Sequence, residues 1–211
     1  FEGEQALLDL VHRLGRGEQP SGIIRPRQYA DLKNLPCPDF DGLPLEKYFA
    51  PKLVLPYDPT RGCYWGRCAF CHYGLAERGT APYRERPVEQ VIEHLHTLSK
   101  KHGATLFYFS QDSLAPATAL RIARGVHAAG QHWRWSTDMR PEPVLTRARC
   151  RELGRGGLLS VSLGIESAAT RVLQLIDKGI AVKDMQRVVA DLSAAGVAVE
   201  AMCFTDFPTE T

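Results

Sequence analysis

Apolar residues recur every three to four positions in some stretches of this chain and run in short unbroken blocks in others, and the two patterns alternate. Residues 4–14 place Leu7, Leu10, Val11 and Leu14 on one helical face, ended by Gly15 and Gly17. From 18 to 50 neither period holds. Pro20, Pro26, Pro36, Pro38 and Pro44 punctuate that stretch and predict an extended linker or arm. A short apolar run at 52–56 then predicts a strand. A helix follows over 87–101, with Pro87 at its first position, Val88, Val91, Ile92, Leu95 and Leu98 on one side, and Gly103 as its stop. The β-branched and aromatic run 105–110 predicts a strand. Residues 116–129 form the next helical pattern (Ala119, Ile122, Ala123 and Val126 inward, Gly130 behind), 132–137 a strand, 145–154 a helix and 158–164 a strand. Helices over 168–177 and 183–195 come next, the second with Met185, Val188, Val189 and Leu192 inward and Gly196 as its cap. The last strand is predicted over 197–204.

Five strands separated by helices predict parallel β/α units with right-handed crossovers, so successive strands lie side by side and curl. Such a sheet is an open barrel or a doubly wound sheet, and in both the functional residues gather at the carboxyl ends of the strands. Those ends are polar here. They read Ser110-Gln111-Asp112-Ser113, Thr137-Asp138-Met139-Arg140, Gly164-Ile165-Glu166-Ser167 and Thr205-Asp206-Phe207-Pro208-Thr209-Glu210. Purely structural roles are open to several of them. Asp112 or Ser113 suits a helix N-cap, as does Ser167. Asp138 and Arg140 can pair on the surface, and the six arginines from Arg134 to Arg155 read mostly as a solvated helix face. Glu166 directly follows an apolar strand, where a half-buried carboxylate needs a partner, either a ligand hydroxyl or a nearby arginine.

Composition narrows the classes. The chain has 211 residues, 44% hydrophobic and 24% charged, with formal charge +2, which is ordinary globular material with enough apolar residues for a core. So even a balance offers no global field for nucleic acid or an acidic membrane. No run of about 18 apolar residues predicts a membrane span, and no signal-peptide pattern opens the chain. Six cysteines in a long chain, three of them clustered, favour metal use in a reducing, cytoplasmic setting over a disulfide framework. Cys150 and Cys203 read as buried small apolar residues. A start at Phe1 and a stop at Thr211 just after a strand-like run suggest part of a longer protein.

The clustered cysteines, Cys63, Cys68 and Cys71, lie in the stretch Arg61-Gly62-Cys63-Tyr64-Trp65-Gly66-Arg67-Cys68-Ala69-Phe70-Cys71-His72, directly after the first predicted strand. A four-iron cubane held by three thiolates leaves one iron open to a small molecule, whereas four thiolates close it. The alternatives are a structural zinc with His72 as fourth ligand, and a turn with unligated cysteines. The aromatics Tyr64, Trp65, Phe70 and Tyr73 would screen a cluster from water or stack on a flat ligand.

Cys63 to Cys71 resembles the cluster loop of the radical S-adenosylmethionine (SAM) superfamily, with Phe70 as the aromatic before the last cysteine. The first gap, four residues, is one longer than the commonest form. Further segments follow in the order of that superfamily's branch with an N-terminal cobalamin (B12)-binding domain: Pro38-Asp39-Phe40-Asp41-Gly42-Leu43-Pro44-Leu45, Arg61-Gly62-Cys63, Gly164-Ile165-Glu166-Ser167, Lys178-Gly179-Ile180 and Phe207-Pro208-Thr209-Glu210-Thr211.

The resemblance implies an α/β fold, a partial (β/α) barrel truncated after about five strands and preceded by an extended arm. Residues 1–17 would be the tail of a preceding cobalamin-binding domain, 18–50 the arm and 51–211 the radical SAM core. It also implies a [4Fe–4S] cluster on Cys63, Cys68 and Cys71, SAM chelated at the open iron, and reductive cleavage to methionine and a 5′-deoxyadenosyl radical. Phe70 and the backbone near His72 and Tyr73 would face the adenine. Ser110, Gln111 and Asp112 would stand at the SAM amino group, where this chain lacks the family's Gly-Gly-Glu. Glu166 would take the ribose hydroxyls and Arg140 the SAM carboxylate. The expected activity is a cobalamin-assisted methyl transfer or a natural-product or peptide modification. Expected partners are a small-molecule or peptide substrate and a one-electron reductase or flavodoxin-like donor, with neither nucleic acid nor membrane. A zinc-stabilised, non-catalytic binding module is the competing class, and an electron-transfer protein the third.

Overall fold

The computed structural model describes residues 3–24, 29–75 and 80–208. The chain opens with α1 (Glu4–Gly15), which buries none of its residues, so the apolar stripe of Leu7, Leu8, Val11 and Leu14 stays exposed. The arm that follows is not a free linker. It makes 3-10 turns at Leu32–Asn34 and Leu45–Lys47, buries Leu32, and lays Cys37, Phe40 and Leu45 against the core. Arg86 fastens it, donating to the carbonyls of Leu32 (2.7 Å) and Leu35 (2.9 Å). A nearly buried guanidinium needs such acceptors, and the arm's backbone supplies them. Pro26 of this stretch lies outside the described residues.

The core begins with β1 (Val54–Tyr57). A two-stranded antiparallel ribbon follows, β2 (Thr60–Arg61) with β3 (Arg84–Glu85), and between its strands the chain carries all three clustered cysteines. Four more strands, β4 (Leu106–Phe109), β5 (Arg134–Met139), β6 (Leu158–Glu166) and β7 (Ala198–Cys203), join β1 in one sheet. Its order is β1-β4-β5-β6-β7 and every neighbour is parallel. The strands sit in chain order, so each crossover adds the next strand on the same side, and the sheet does not close. This is the expected partial α/β barrel. The connecting helices are α2 (Val88–His102), α3 (Pro116–Ala128), α4 (Arg147–Arg155), α5 (Thr170–Leu175) and α6 (Val182–Ala194). Among the described residues, no helix is long and apolar enough to cross a membrane.

One face of the sheet makes the core. Leu55, Tyr57, Phe107, Phe109, Trp135, Val161 and Leu163 alternate inward and share a cluster with Val91, Leu95, Ile122, Val126, Leu153, Val188 and Leu192 of the helices. Phe109 stacks on Trp135 with ring centres 5.1 Å apart, and the Trp135 indole donates to Gly156 O at 2.8 Å. Burying one such side chain stabilises the fold by about 2–3 kcal/mol before entropy is counted.

The departures from the expected elements are local. The third strand starts two residues late and runs to Met139, because Trp135, Thr137 and Met139 continue the inward alternation. Pro87 is the N-cap of α2 rather than its first helical residue. The helix expected over 168–177 shortens to α5: Ser167 accepts from Ala169 N (3.1 Å) outside the helix, and Asp177 takes a left-handed φ of 50°. The N-cap of α5 is Ala169, not Ser167, and that of α3 is Ala115, not Asp112 or Ser113. Cys150 is buried as expected, but Cys203 is exposed on the open edge strand β7. Two-residue strands carry no readable period, which is why the β2–β3 ribbon is invisible in the sequence.

Candidate functional site

The cysteine loop leaves β2 at Gly62, whose φ of 84° turns the chain and whose missing Cβ lets it pass the Pro82 carbonyl; a Cβ would sit 2.8 Å from that oxygen. Cys63, Cys68 and Cys71 are half-buried and unbridged. Within the loop Cys71 N donates to Cys68 O (3.0 Å) and Leu75 N to Cys71 O (3.0 Å). The loop is anchored from outside. Ala69 N donates to Ile176 O (2.9 Å), and the Trp65 indole donates to Asp177 O (2.9 Å). Arg67 pairs with the Asp177 carboxylate at 3.0 Å. Gly179, at φ 70°, lies flat against Trp65, where a Cβ would land on the indole ring.

Two buried cations stand beside the thiols. Arg140 is 4% exposed and lies over the Trp65 ring at 4.2 Å. It donates to Lys178 O (2.6 Å) and to Glu142 (2.8 Å), and its Nη1 lies 3.9 Å from Cys68 Sγ. Glu142 also accepts from Tyr64 OH at 3.2 Å. Lys178 donates to Glu166 at 2.7 Å, with side chains only 5% and 15% exposed. Gly164 makes room for that pair; a Cβ there would come 2.8 Å from Glu166 Oε1 and 2.9 Å from Lys178 Nζ. Burial raises the Cys68 thiol, while the charges of Lys178 and Arg140 pull it back down. Such surroundings favour thiolates once a metal offers itself.

The end of β4 forms the other wall. Gln111 is buried and donates to Thr137 Oγ1 at 2.5 Å, yet among the described residues its Oε1 is buried with no partner, as is Ser113 Oγ. Asp112 accepts from Tyr73 OH at 2.7 Å, which ties the cysteine loop to this strand end. Burial, then the Asp112 carboxylate, push the Tyr73 phenol well above its usual value. Phe70 meets Phe204, just past β7, edge to face at 5.3 Å. His72 leans on the Tyr73 ring at 4.2 Å. Ser110 is exposed, its backbone N–H held by Tyr57 O at 3.0 Å.

The structure thus links Cys68, Arg140, Lys178 and Glu166 in one network, with Cys63 and Cys71 on the same loop, and Tyr73 with Asp112 in a second. It separates Asp138 from Arg140: the expected surface pair does not form, because Asp138 faces Tyr108 and Ser162 while Arg140 turns in toward Glu142. Arg140 is also the exception among the six arginines read as a solvated face. The partner of Glu166 is Lys178, not an arginine. Sequence reasoning passed over Lys178 and Asp177 as working parts, and it read Trp65 as a screening or stacking ring rather than as an anchor of the loop; the signal for Lys178 was the Lys178-Gly179 pair. Among the described residues, the His, Cys and acidic groups with ligand atoms all within 4.8 Å of one another are Asp39, Asp41 and His102, whose carboxylates Lys101 already bridges. The cysteine trio falls outside that spacing, whereas thiolates on one tetrahedral zinc would stand about 3.8 Å apart.

A family model described as the Radical SAM superfamily matches residues 57–210. An uncharacterized methyltransferase of Pyrococcus horikoshii is 28% identical, the alignment covering all of this chain and 49% of that protein. The anaerobic magnesium-protoporphyrin IX monomethyl ester cyclase of Rubrivivax gelatinosus is 26% identical, again over the whole chain and 41% of its own length. The chain therefore spans about half the length, or less, of these curated relatives. Among solved structures, the cobalamin-dependent SAM radical enzyme OxsB superposes with a TM-score of 0.76 at 18% identity, over 96% of this chain and 32% of that one. The radical SAM methyltransferase TsrM of Kitasatospora setae, bound to tryptophan and aza-SAM, gives 0.77 at 17% identity, over 99% and 45%. These two likenesses establish the fold.

Proposed function

The chain belongs to the radical SAM superfamily, and on that premise we propose that Cys63, Cys68 and Cys71 hold a [4Fe–4S] cluster at which SAM binds and is reductively cleaved. The observation that carries this reading is the trio itself: three half-buried, unbridged thiols on one loop at the carboxyl ends of an open parallel sheet, beside the buried cations Arg140 and Lys178. The donor set fits, since three thiolates with adjacent positive charge suit an anionic cluster with one open iron. A cluster held by Cys63, Cys68 and Cys71 would supply the one electron needed to break the SAM sulfonium C–S bond into methionine and a 5′-deoxyadenosyl radical.

The chain's own residues bind and orient. Glu166, fixed by Lys178, accepts hydrogen bonds from the ribose hydroxyls. Gln111 Oε1, the buried acceptor without a partner, receives the SAM amino group, with Asp112 and Ser110 beside it. Arg140 is held by Glu142 through Nε and by Lys178 O through Nη2, and its Nη1, now 3.9 Å from Cys68 Sγ, is the nitrogen that meets the SAM carboxylate. Phe70, His72 and Tyr73 line the adenine side and exclude water. The reaction following radical formation is a cobalamin-assisted methyl transfer or a related modification of a small molecule or peptide, in keeping with the methyltransferase relative and the cobalamin-dependent neighbours in fold. In this reading residues 1–17 belong with a cobalamin-binding unit, 18–50 are the arm and 51–211 the radical SAM core. A reducing compartment such as the cytoplasm suits the free thiols.

Anaerobic reconstitution with iron and sulfide tests the reading. The expected result is a brown protein whose reduced EPR signal changes when SAM is added. A colourless protein that carries one zinc per chain instead would overturn it.

A further inference from the structure

Away from the cysteine pocket, the surface formed by α3 and α4 is strongly basic. Arg147, Arg149, Arg151 and Arg155 lie on α4, and Arg121 and Arg124 on α3. The acids beside them are Glu152 and Glu85 of β3, which pair with Arg124 and Arg121, and Glu142, which pairs with the buried Arg140. Among the described residues, the four α4 arginines form no ion pair. A chain of formal charge +2 thus concentrates its excess positive charge on one face.

That face is also shaped. Two adjoining hollows share Arg124: one of about 630 Å³, which Arg121 and Arg149 also line, and one of about 430 Å³, which Arg151 and Arg155 also line. The first is also lined by Tyr64 and Trp65 of the cysteine loop. Trp65 touches Arg140, whose Nη1 is 3.9 Å from Cys68 Sγ. A partner seated in this furrow would therefore end two side chains from a proposed cluster ligand.

We propose that the α3–α4 furrow is the docking surface for an acidic one-electron donor protein of the flavodoxin or ferredoxin type, which delivers its electron by way of Trp65 and Arg140. The inference rests on the cluster reading above, because only a redox centre behind Cys68 gives an electron donor a reason to end there. Charge complementarity selects the partner. An acidic surface is steered to an unpaired arginine row and held less tightly as salt rises. The donor loses one electron and the protein gains one; no bond is made or broken in that step.

The test is binding, so it does not depend on turnover or on the cluster. A flavodoxin, a plant-type ferredoxin and a bacterial ferredoxin are titrated against the cluster-free and the reconstituted chain, with Kd read by fluorescence anisotropy at two salt concentrations. At least one donor should bind both forms, and the triple variant Arg147→Glu, Arg151→Glu, Arg155→Glu should weaken it about tenfold or more and flatten its salt dependence. The matching Arg→Lys triple variant, which keeps charge, should bind nearly as the parent does. Circular dichroism identifies a variant that has merely unfolded, and the Lys variant then decides. Reduction of the cluster by dithionite should be equal in all three proteins. Absence of binding by all three donors, unchanged affinity in the Glu variant, or a single-stranded RNA that binds these arginines more tightly than any donor would overturn the proposal. If donors bind as expected but reconstitution yields no cluster, the docking surface stands and the cluster reading fails.

Discussion

The cysteine loop and the corner that follows β6 meet face to face, and they solve opposite problems. The loop carries three thiols but little structure of its own, a few turn hydrogen bonds and a run of aromatics. The corner, from Glu166 to Gly179, carries no thiol, yet it holds three left-handed residues (Glu166 at φ 65°, Asp177 at φ 50°, Gly179 at φ 70°), a buried ion pair, and the backbone carbonyls that Trp65, Ala69 and Arg140 reach. The lesson is a division of labour. The thiols proposed as ligands sit on a segment with few hydrogen bonds of its own, and its anchors come from a neighbour more than a hundred residues later.

Variants on each side separate the two roles. The largest effect is expected from Cys68→Ala: iron per chain after reconstitution should fall from about four to near zero, while the far-UV spectrum and Tm stay close to the parent, because the loop's anchors are Ala69, Trp65 and Arg67. Iron content equal to the parent would remove Cys68 from the ligand set. Next is Lys178→Met, which strands the buried Glu166 carboxylate and should cost about 3 kcal/mol in a urea melt. If stability is unchanged, the corner is not the rigid member of the pair. Gly179→Ala tests the interface itself. Its Cβ meets Trp65 from a left-handed backbone, so about 1–3 kcal/mol should be lost, together with partial loss of iron, although every ligand is intact. Full iron retention would mean that the corner does not position the loop.

The smallest effect belongs to the open face of the sheet, which serves as a control for both. Burial raises the Asp138 carboxyl above its ordinary value of 3.8. The folded state therefore holds that proton more tightly than the unfolded chain, and the contribution is present at low pH and lost as pH rises through the folded value. Asp138→Asn should raise Tm at pH 7 by less than either preceding variant lowers it, and the gap should close on acidification below pH 3.8. A gain that persists undiminished there would show that burial of the charge is not its cause.

The order and type of the core elements were legible in the sequence because each has a strong period and a clear stop. The helical face of α2, ended by Gly103 at φ 70°, and the apolar run of β6 are examples. The cysteine loop was legible because its three thiols lie within nine residues. Lys178 was not. Its role depends on the twelve-residue detour that brings it back to Glu166, and a lysine in a Gly-flanked turn ordinarily reads as solvated. Arg140 was misread for a related reason: its near neighbour Asp138 looks like a partner, but on a strand the two residues flanking Met139 need not meet once one of them leaves the strand. Gln111 could be placed at a strand end, but not recognised as a buried acceptor without a partner, since burial is a property of the assembled layers.

By itself, then, the sequence determined the alternation of strands and helices, the parallel sheet in chain order and the thiol trio at its first strand end, all of which follow from patterns a few residues long. The tertiary structure alone decided which cations face the thiols, which carbonyls hold the loop, and which buried oxygen is left without a partner. Those outcomes depend on contacts between segments far apart in the chain, 72 residues for Cys68 and Arg140 and 112 for Trp65 and Asp177, where no local period or propensity reaches.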